Sequence, residues 1–158
     1  MILKNVEMRW AKILGEPRDK YEPSDGKEWS CEFVLQPEHV EALKAAGVHE
    51  RYIKEKDGTT YIKYSRDAER RDGTAAKPIR VIAADGFEWD QNKLIGNGSL
   101  VDVQYIVNVL AKRAGLPERG KMAVLAIKVN ELVPYEQEEQ FELSQEGTTV
   151  REDWASEE

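Results

Sequence analysis

Lysines and tyrosines alternate in the middle of the chain, a combination of side chains that is suited to binding. Residues 51–80 hold nine Lys/Arg against five Asp/Glu, whereas the whole chain has a net charge of −7. Aromatic rings stack on nucleic-acid bases of any sequence, and cations placed between them follow the phosphates. The stretch therefore predicts a surface for a flexible polyanion such as single-stranded DNA.

A β-hairpin is predicted to position these side chains. Asp57-Gly58 separates two runs of alternating polar and β-favouring residues, and this dipeptide favours a two-residue turn in which both residues have φ > 0. Such a turn places three pairs on one face of the ribbon: Lys56 with Thr59, Lys54 with Tyr61, and Tyr52 with Lys63. The other face then carries Arg51, Ile53, Ile62 and Tyr64. The alternative is an edge hairpin whose lysines only discourage aggregation.

Two kinds of contact with DNA are predicted from this surface and its neighbours. The side chains expected to stack on bases are Tyr52, Tyr61 and Trp89. The side chains expected to follow phosphates are Lys54, Lys56, Lys63, Arg66, Arg70, Arg71, Lys77 and Lys93. Trp89 lies in a polar loop, residues 85–98, where a lid on the end of a barrel is an equally good interpretation.

The acidic residues divide the chain into two parts. Residues 1–135 hold 22 Lys/Arg and 21 Asp/Glu, whereas residues 136–158 hold one and nine. The second segment lacks periodicity and has the composition of a disordered interaction tail. It also contains Phe141 and Trp154, which a purely solubilising tail would not need. We therefore predict a DNA-binding domain over 1–135 and a partner-binding tail whose contacts are Asp153, Trp154, Glu157 and Glu158.

Length and composition favour a single core. The chain has 158 residues, of which 41% are hydrophobic, and this suits one domain with a tail. No stretch approaches the roughly 18 uncharged apolar residues of a membrane span, and charges interrupt the N-terminal apolar run, which argues against a signal peptide. The single cysteine, Cys31, falls on the apolar side of a predicted strand and fits a reducing compartment. We expect a cytoplasmic protein with no membrane partner.

Alternating apolar and polar residues predict mostly strands. Besides the hairpin, strands are expected at 2–14, 27–36, 78–84, 99–111 and 121–135. Trp10 is expected in the core beside Val6 and Met8. Pro37 and Gly47 mark the ends of one short helix. This list favours an all-β fold: a closed or nearly closed OB-type barrel of five strands with one helix, an added hairpin and a disordered acidic tail.

Signatures of catalysis are weak. Neither histidine has a second ligand at zinc spacing, and Gly96-Asn97-Gly98-Ser99 lacks the lysine of a phosphate-binding loop. The one cluster suited to Mg²⁺ consists of Asp85, Glu88 and Asp90, which makes a metal-dependent nuclease conceivable. Acids in a polar loop more often form a solvated surface, and we expect no enzyme activity, metal or cofactor. The other functions left open are that nuclease and a protein-only adaptor that docks through the hairpin and the tail.

The chain resembles the phage single-stranded DNA-binding proteins of the T7 type and their relatives. The resemblance rests on the order of four features: ILKNVEMRWAKIL, KEWSCEFVLQPEHVEALKAAG, IGNGSLVDVQYIV and the acidic end. It covers about residues 1–135 and the character of the tail. It implies an OB fold, sequence-independent binding of single strands in replication or recombination, and the host-cell cytoplasm as location.

The same resemblance implies partners for the tail. Tails of the T7 type recruit replication proteins such as the phage polymerase and helicase-primase, and a tail-assisted homodimer and strand annealing would also follow. One departure concerns the end of the chain. Tails of the T7 type end on an aromatic residue, whereas here Trp154 is followed by four more residues. Trp154 then acts from inside the tail, or the set of partners differs.

Overall fold

The computed structural model describes residues 1–70, 72–110 and 119–134. The strands in this part of the chain are β1 Ile2–Lys12, β2 Arg18–Asp19, β3 Lys27–Val34, β4 Ile53–Lys56, β5 Thr59–Asp67, β6 Arg80–Ala83, β7 Ser99–Leu110 and β8 Arg119–Glu131. The α-helix, α1, covers Pro37–Ala45, and short 3-10 turns cover Pro23–Asp25 and Glu50–Tyr52. No helix in the described ranges combines the length and the apolar character that crossing a membrane requires.

One sheet contains all the described strands. Its order is β4-β5-β3-β1-β7-β8-β6, with β2 paired to β3. Every pairing is antiparallel except that of β6 with β8. The prediction of a mostly β, OB-type fold with one helix and an added hairpin is confirmed. Within the described residues the sheet has eight strands, including the two-residue β2, and backbone pairing does not close it between β5 and β8.

The core is formed mainly by alternate residues of the strands, together with residues of α1 and the connecting segments. Trp29, Cys31 and Phe33 of β3 are all buried, as predicted from their alternation. Burial in this apolar setting raises the pKa of the Cys31 thiol far above its usual value. Cys31 is therefore a packing residue and not a reactive thiol.

Strand β1 departs from regular alternation at two points. Asn5 and Trp10 have φ values of 51° and 52°, and the ladder shifts register at both places. Each such conformation costs a non-glycine residue roughly 1–2 kcal/mol. The prediction that Trp10 lies in the core is wrong, because the second bulge turns its side chain outward and leaves it 56% exposed.

A buried histidine fastens α1 to the sheet. Pro37 begins the helix as predicted. The backbone N–H of Gln36 donates to Nδ1 of His39 at 3.0 Å, and Nε2 of His39 lies 2.9 Å from the carbonyl oxygen of Lys4 in β1. Both ring nitrogens of His39 are thus used, with Nδ1 as acceptor and Nε2 as donor. These two hydrogen bonds account for the buried His39 without a bound metal ion.

The hairpin forms with the predicted turn. Asp57 and Gly58 have φ values of 54° and 79°, as a type I′ turn requires. Lys54 pairs with Tyr61 and Lys56 with Thr59. The predicted pair of Tyr52 with Lys63 was wrong, because the residues before Ile53 leave the ladder in the 3-10 turn Glu50–Tyr52.

Gly120 allows the end of the helix to approach β8. A Cβ atom at this position would lie 1.9 Å from the carbonyl oxygen of Gly47, and the N–H of His49 donates to the carbonyl oxygen of Gly120 at 2.8 Å. We expect Gly120→Ala to lower the free energy of unfolding by about 1–3 kcal/mol, because backbone must move to admit the methyl group. Denaturant unfolding measures this loss.

Asn108→Ala is the control for that variant. Asn108 is exposed on β7, and its replacement should change the free energy of unfolding by less than about 0.5 kcal/mol. If Gly120→Ala were as stable as the parent, the close approach of helix and strand would not constrain the fold.

Candidate nucleic-acid interface

The outward side of the hairpin carries three of the eight predicted cations. We call Lys54, Lys56, Tyr61 and Lys63 the hairpin face. The three lysines are exposed and Tyr61 is half-buried, and Lys54 lies directly across the ladder from Tyr61. No carboxylate among the described residues lies within 4 Å of these lysine ammonium groups. The face therefore combines an accessible ring with uncompensated positive charge.

Arg9 extends this face, although sequence reasoning did not identify it. Its guanidinium lies 5.0 Å from the centre of the Tyr61 ring, a cation–π distance. Its Nε also donates to Oε1 of Glu32 at 2.8 Å. Arg9 and Tyr61 are two strands apart in the sheet, since β3 separates β1 from β5. Only the pairing of these strands reveals that the two side chains meet.

Several of the other predicted cations line one groove. The groove has a volume of about 550 Å³ and runs beside the gap between β5 and β8. Its charged lining residues are Arg66, Asp67, Glu69, Arg70, Lys77 and Lys121. We call it the seam groove. Four cations against two acids leave it positive, and Lys20 pairs with one of those acids, Asp67, at 3.0 Å.

Tyr52 lies close to the cations on this side of the molecule. Its half-buried ring packs on the core, with the guanidinium of Arg51 at 5.6 Å and the ammonium of Lys121 at 5.9 Å from the ring centre. Lys121 was not predicted, because it lies on β8, nearly sixty residues away from the hairpin in sequence. No signal in the sequence near residue 121 marks it as part of this surface.

Arg66 is committed to the fold. Its Nη1 donates to the carbonyl oxygens of Lys77 at 3.0 Å and Pro78 at 3.2 Å, its Nε donates to the Tyr64 hydroxyl at 3.2 Å, and its Nη2 donates to the carbonyl oxygen of Val124. The bond to Val124 spans the gap between β5 and β8, and the bonds to Lys77 and Pro78 join β5 to the segment before β6. The acceptors are neutral, so the guanidinium keeps its full charge beside the groove.

Trp89 and Lys93 lie apart from both surfaces, on the loop between β6 and β7. The Trp89 indole is half-buried against the core, and its Nε1 donates to the carbonyl oxygen of Lys93 at 2.8 Å. The Lys93 ammonium sits 5.4 Å from the ring centre. These contacts favour the interpretation of Trp89 as a lid. Its role in stacking stays a prediction.

The remaining predicted residues lie outside the described ranges or in a local loop. Arg71 and the tail residues Asp153, Trp154, Glu157 and Glu158 are outside the residues that the structure describes. Arg70 is exposed and its Nη1 donates to the carbonyl oxygen of Ala75 at 3.0 Å. This bond helps to close the loop after β5.

The three acids of the nuclease hypothesis do not converge. Oδ1 of Asp85 accepts from the N–H of Phe87 at 3.1 Å, and Oδ1 of Asp90 accepts from the N–H of Asn92 at 2.9 Å. Glu88 instead forms an ion pair with Arg80 at 2.8 Å. In the described part of the chain no three His, Cys, Asp or Glu residues are grouped to hold a metal ion. The geometry therefore gives a nuclease no support.

Solved structures of phage proteins share this architecture. The single-stranded DNA-binding protein from bacteriophage Enc34 in complex with ssDNA is similar with a TM-score of 0.59 and 13% identity, over 85% of this chain and 88% of that one. The crystal structure of gp2.5, a single-stranded DNA-binding protein encoded by bacteriophage T7, gives 0.56 and 16% identity, over 94% and 98%. The fold is that of phage single-stranded DNA-binding proteins. The predicted resemblance is thus confirmed for the fold.

Sequence comparison adds nothing to this result. No protein-family model matches the chain, and no curated protein matches it. At identities of 13–16% the phage single-stranded DNA-binding fold is retained although few side chains coincide. The residues that act in this chain must be identified from its own geometry.

The structural role of Arg66 can be separated from its charge. Arg66→Lys keeps the charge, but one ammonium cannot serve the four acceptors that the guanidinium serves. We expect the free energy of unfolding to fall by about 1–3 kcal/mol, because the part-buried carbonyl of Val124 loses its charged donor and the bonds to Lys77 and Pro78 are weakened. Denaturant unfolding measures the change.

Lys77→Gln is the matched control for Arg66→Lys. Lys77 is an exposed residue of the same groove, and its replacement should alter stability by less than about 0.5 kcal/mol. Parental stability of Arg66→Lys would show that the phage-type fold here does not depend on the guanidinium.

Proposed function

We propose that this protein binds single-stranded DNA without regard to sequence, through the hairpin face and the seam groove. The observation that carries the proposal is the combination, on β4 and β5, of exposed Lys54 and Lys63 with the half-buried Tyr61 ring. Stacking on a ring contributes about 1–3 kcal/mol per base and is indifferent to base identity. Phosphates neutralised by lysines release counterions, which adds a salt-dependent term.

The fold supports the same conclusion. Solved structures with this architecture include the bacteriophage Enc34 protein in complex with ssDNA. OB-type folds bind single strands along a positively charged groove with aromatic side chains. In this chain the seam groove and the hairpin face share β5, so one strand of DNA can follow both surfaces. A duplex would keep its bases out of reach of Tyr61.

The acidic segment, residues 136–158, is proposed to act as a tail that competes with DNA. Its one Lys/Arg and nine Asp/Glu would be attracted to the same cations that DNA neutralises. Occupation of those cations by DNA would then release the tail. Together with the domain of residues 1–135, this gives a protein that exposes its tail to partners only when it coats a strand.

The proposed setting is phage DNA replication or recombination in the host cytoplasm. Tail partners would be replication proteins such as the polymerase and the helicase-primase, with Trp154 as the aromatic contact. Homodimer formation through the tail belongs to the same proposal. The competing function, a protein-only adaptor, predicts no salt-sensitive binding of DNA. A titration of labelled oligothymidine and of duplex DNA at two salt concentrations separates the two.

Two substitutions on the hairpin face test the assignment of roles. Tyr61→Ala should raise the Kd for oligothymidine by roughly 5- to 100-fold and leave its salt dependence unchanged, since a stacking contact is lost. Lys63→Ala should instead reduce the slope of log K against log salt by roughly one unit. Fluorescence anisotropy of labelled oligothymidine over a salt series measures both quantities.

Lys44→Ala provides the control for Lys63→Ala. Lys44 is an exposed lysine on α1, so its removal changes the net charge equally without touching the hairpin face. Its salt slope should match that of the parent. If Tyr61→Ala and Lys63→Ala both bound like the parent, the hairpin face would not be the site.

Deletion of residues 136–158 tests the competition. The truncated protein should bind oligothymidine more tightly than the full chain, and the gain should be greatest at low salt, where charges are least screened. Anisotropy titrations of both proteins at low and high salt measure the difference. Equal affinities at low salt would refute the competition while leaving DNA binding itself intact.

A further inference from the structure

Trp10 is exposed and yet rigidly held. Its side chain is 56% exposed, and its backbone N–H donates to Oδ1 of Asn97 at 2.8 Å. The N–H of Gly98 also donates to the carbonyl oxygen of Met8 at 3.1 Å. Phe87 and Tyr21 are more exposed but lie in connecting segments. Binding side chains on strands are positioned more accurately than those on loops.

A cleft lies beside the Trp10 ring. It has a volume of about 350 Å³ and is lined by Trp10, Ala11, Lys12, Arg18, Leu94, Ile95 and Asn97. That size is at the lower end of sites for small ligands. The lining includes two cations and no acid, so the cleft combines an apolar wall and an aromatic ring with positive charge.

The two cations of the cleft are available to an anion. Nη1 of Arg18 donates to the carbonyl oxygens of Leu14 at 2.7 Å and Glu16 at 3.1 Å, which orients the guanidinium and leaves its other nitrogens for a ligand. Lys12 is exposed. Within the described residues, no carboxylate lies within 4 Å of either side chain's charged nitrogens.

The outward bulge at Trp10 also connects this cleft to the hairpin face. Arg9, the preceding residue, stacks on Tyr61. Tyr61 on β5 and Trp10 on β1 are two strand spacings apart across the sheet and about three residues apart along it, since Tyr61 pairs with Val34 whereas Arg9 pairs with Glu32. Together this gives a separation on the order of 14 Å. A short length of flexible polyanion can therefore contact both aromatic rings.

We propose that the Trp10 cleft is a second nucleotide subsite, in which one unpaired base stacks on the indole and its phosphate is bound by Lys12 and Arg18. The occupant is a nucleotide of the strand that the hairpin face holds, so the proposal rests on the proposed function. Backbone strain at a fixed, exposed aromatic residue is typical of ligand-binding positions. Because the backbone at Trp10 is already fixed by its bond to Asn97, the indole need not be repositioned when a base binds.

The test uses the full chain and oligothymidine. Trp10→Ala should raise the Kd by roughly 5- to 100-fold, because one stacking contact is lost. Trp10→Phe, which keeps an aromatic ring, should bind within about threefold of the parent but lose the part of the tryptophan quenching that the parent shows on titration. Both variants keep the backbone bond to Asn97, and circular dichroism confirms that they are folded.

A charge variant provides the second measurement. Lys12→Ala should reduce the salt slope by roughly one unit, whereas Lys44→Ala, which removes a lysine outside the cleft, should leave it unchanged. Parental affinity of Trp10→Ala would overturn the subsite, even where Tyr61→Ala confirms DNA binding at the hairpin face. If Trp10→Ala changed only self-association, as measured by sedimentation, the cleft would hold a second copy of the chain. If it changed only the effect of deleting residues 136–158, the cleft would hold the tail. Either result would refute the proposal.

If the protein did not bind DNA at all, the titrations would give a different result from failure of the Trp10 subsite alone. Absence of any salt-sensitive binding of oligothymidine by the parent protein would remove the proposed function and the subsite together. If Trp10→Ala lost affinity for oligothymidine while Tyr61→Ala bound it like the parent, the cleft would remain a binding site and the hairpin face would not be one. The two proposals are thus separated by the same set of titrations.

Discussion

The gap between β5 and β8 is the constraint on which the rest of the molecule depends. Backbone pairing does not close the described sheet there, and the Arg66 guanidinium fills the gap by donating to the carbonyl oxygens of Val124, Lys77 and Pro78. Left unpaired, the part-buried carbonyl of Val124 would cost about 1–3 kcal/mol. Because the acceptors are neutral, the same arginine that joins the strands also leaves a positive charge beside the groove. One side chain therefore both joins the strands and contributes positive charge to the seam groove.

The two bulges of β1 are stabilised in the same way. In each, a residue with positive φ has its N–H bound by a side chain, Asn5 by Oδ1 of Asp102 at 3.0 Å and Trp10 by Oδ1 of Asn97 at 2.8 Å. The first bulge keeps Val6 and Met8 in the core. The second turns Trp10 outward while Ile13 returns to the core. The bulges thus let one long strand serve the core and the surface in turn.

Sequence-independent recognition needs contacts that ignore base identity. Rings stack on every base and lysines meet every phosphate, and the hairpin face and Trp10 cleft offer these two elements in that combination. The net charge of −7 does not oppose this, because residues 1–135 have a net charge of +1 and residues 136–158 one of −8. In the proposed function, this separation of charge lets one chain both attract a polyanion and compete with it.

The sequence by itself determined the local features. Alternation, Pro37 and Asp57-Gly58 predicted the strands, the helix and the turn, since periodicity and turn chemistry depend on near neighbours. It also predicted which lysines of the hairpin share a face. The partners from distant strands were decided only by tertiary structure: Arg9 on Tyr61, Lys121 by Tyr52, and Arg66 across the gap. The exposure of Trp10 was decided there too, because a bulge depends on the register between strands and no local pattern records it.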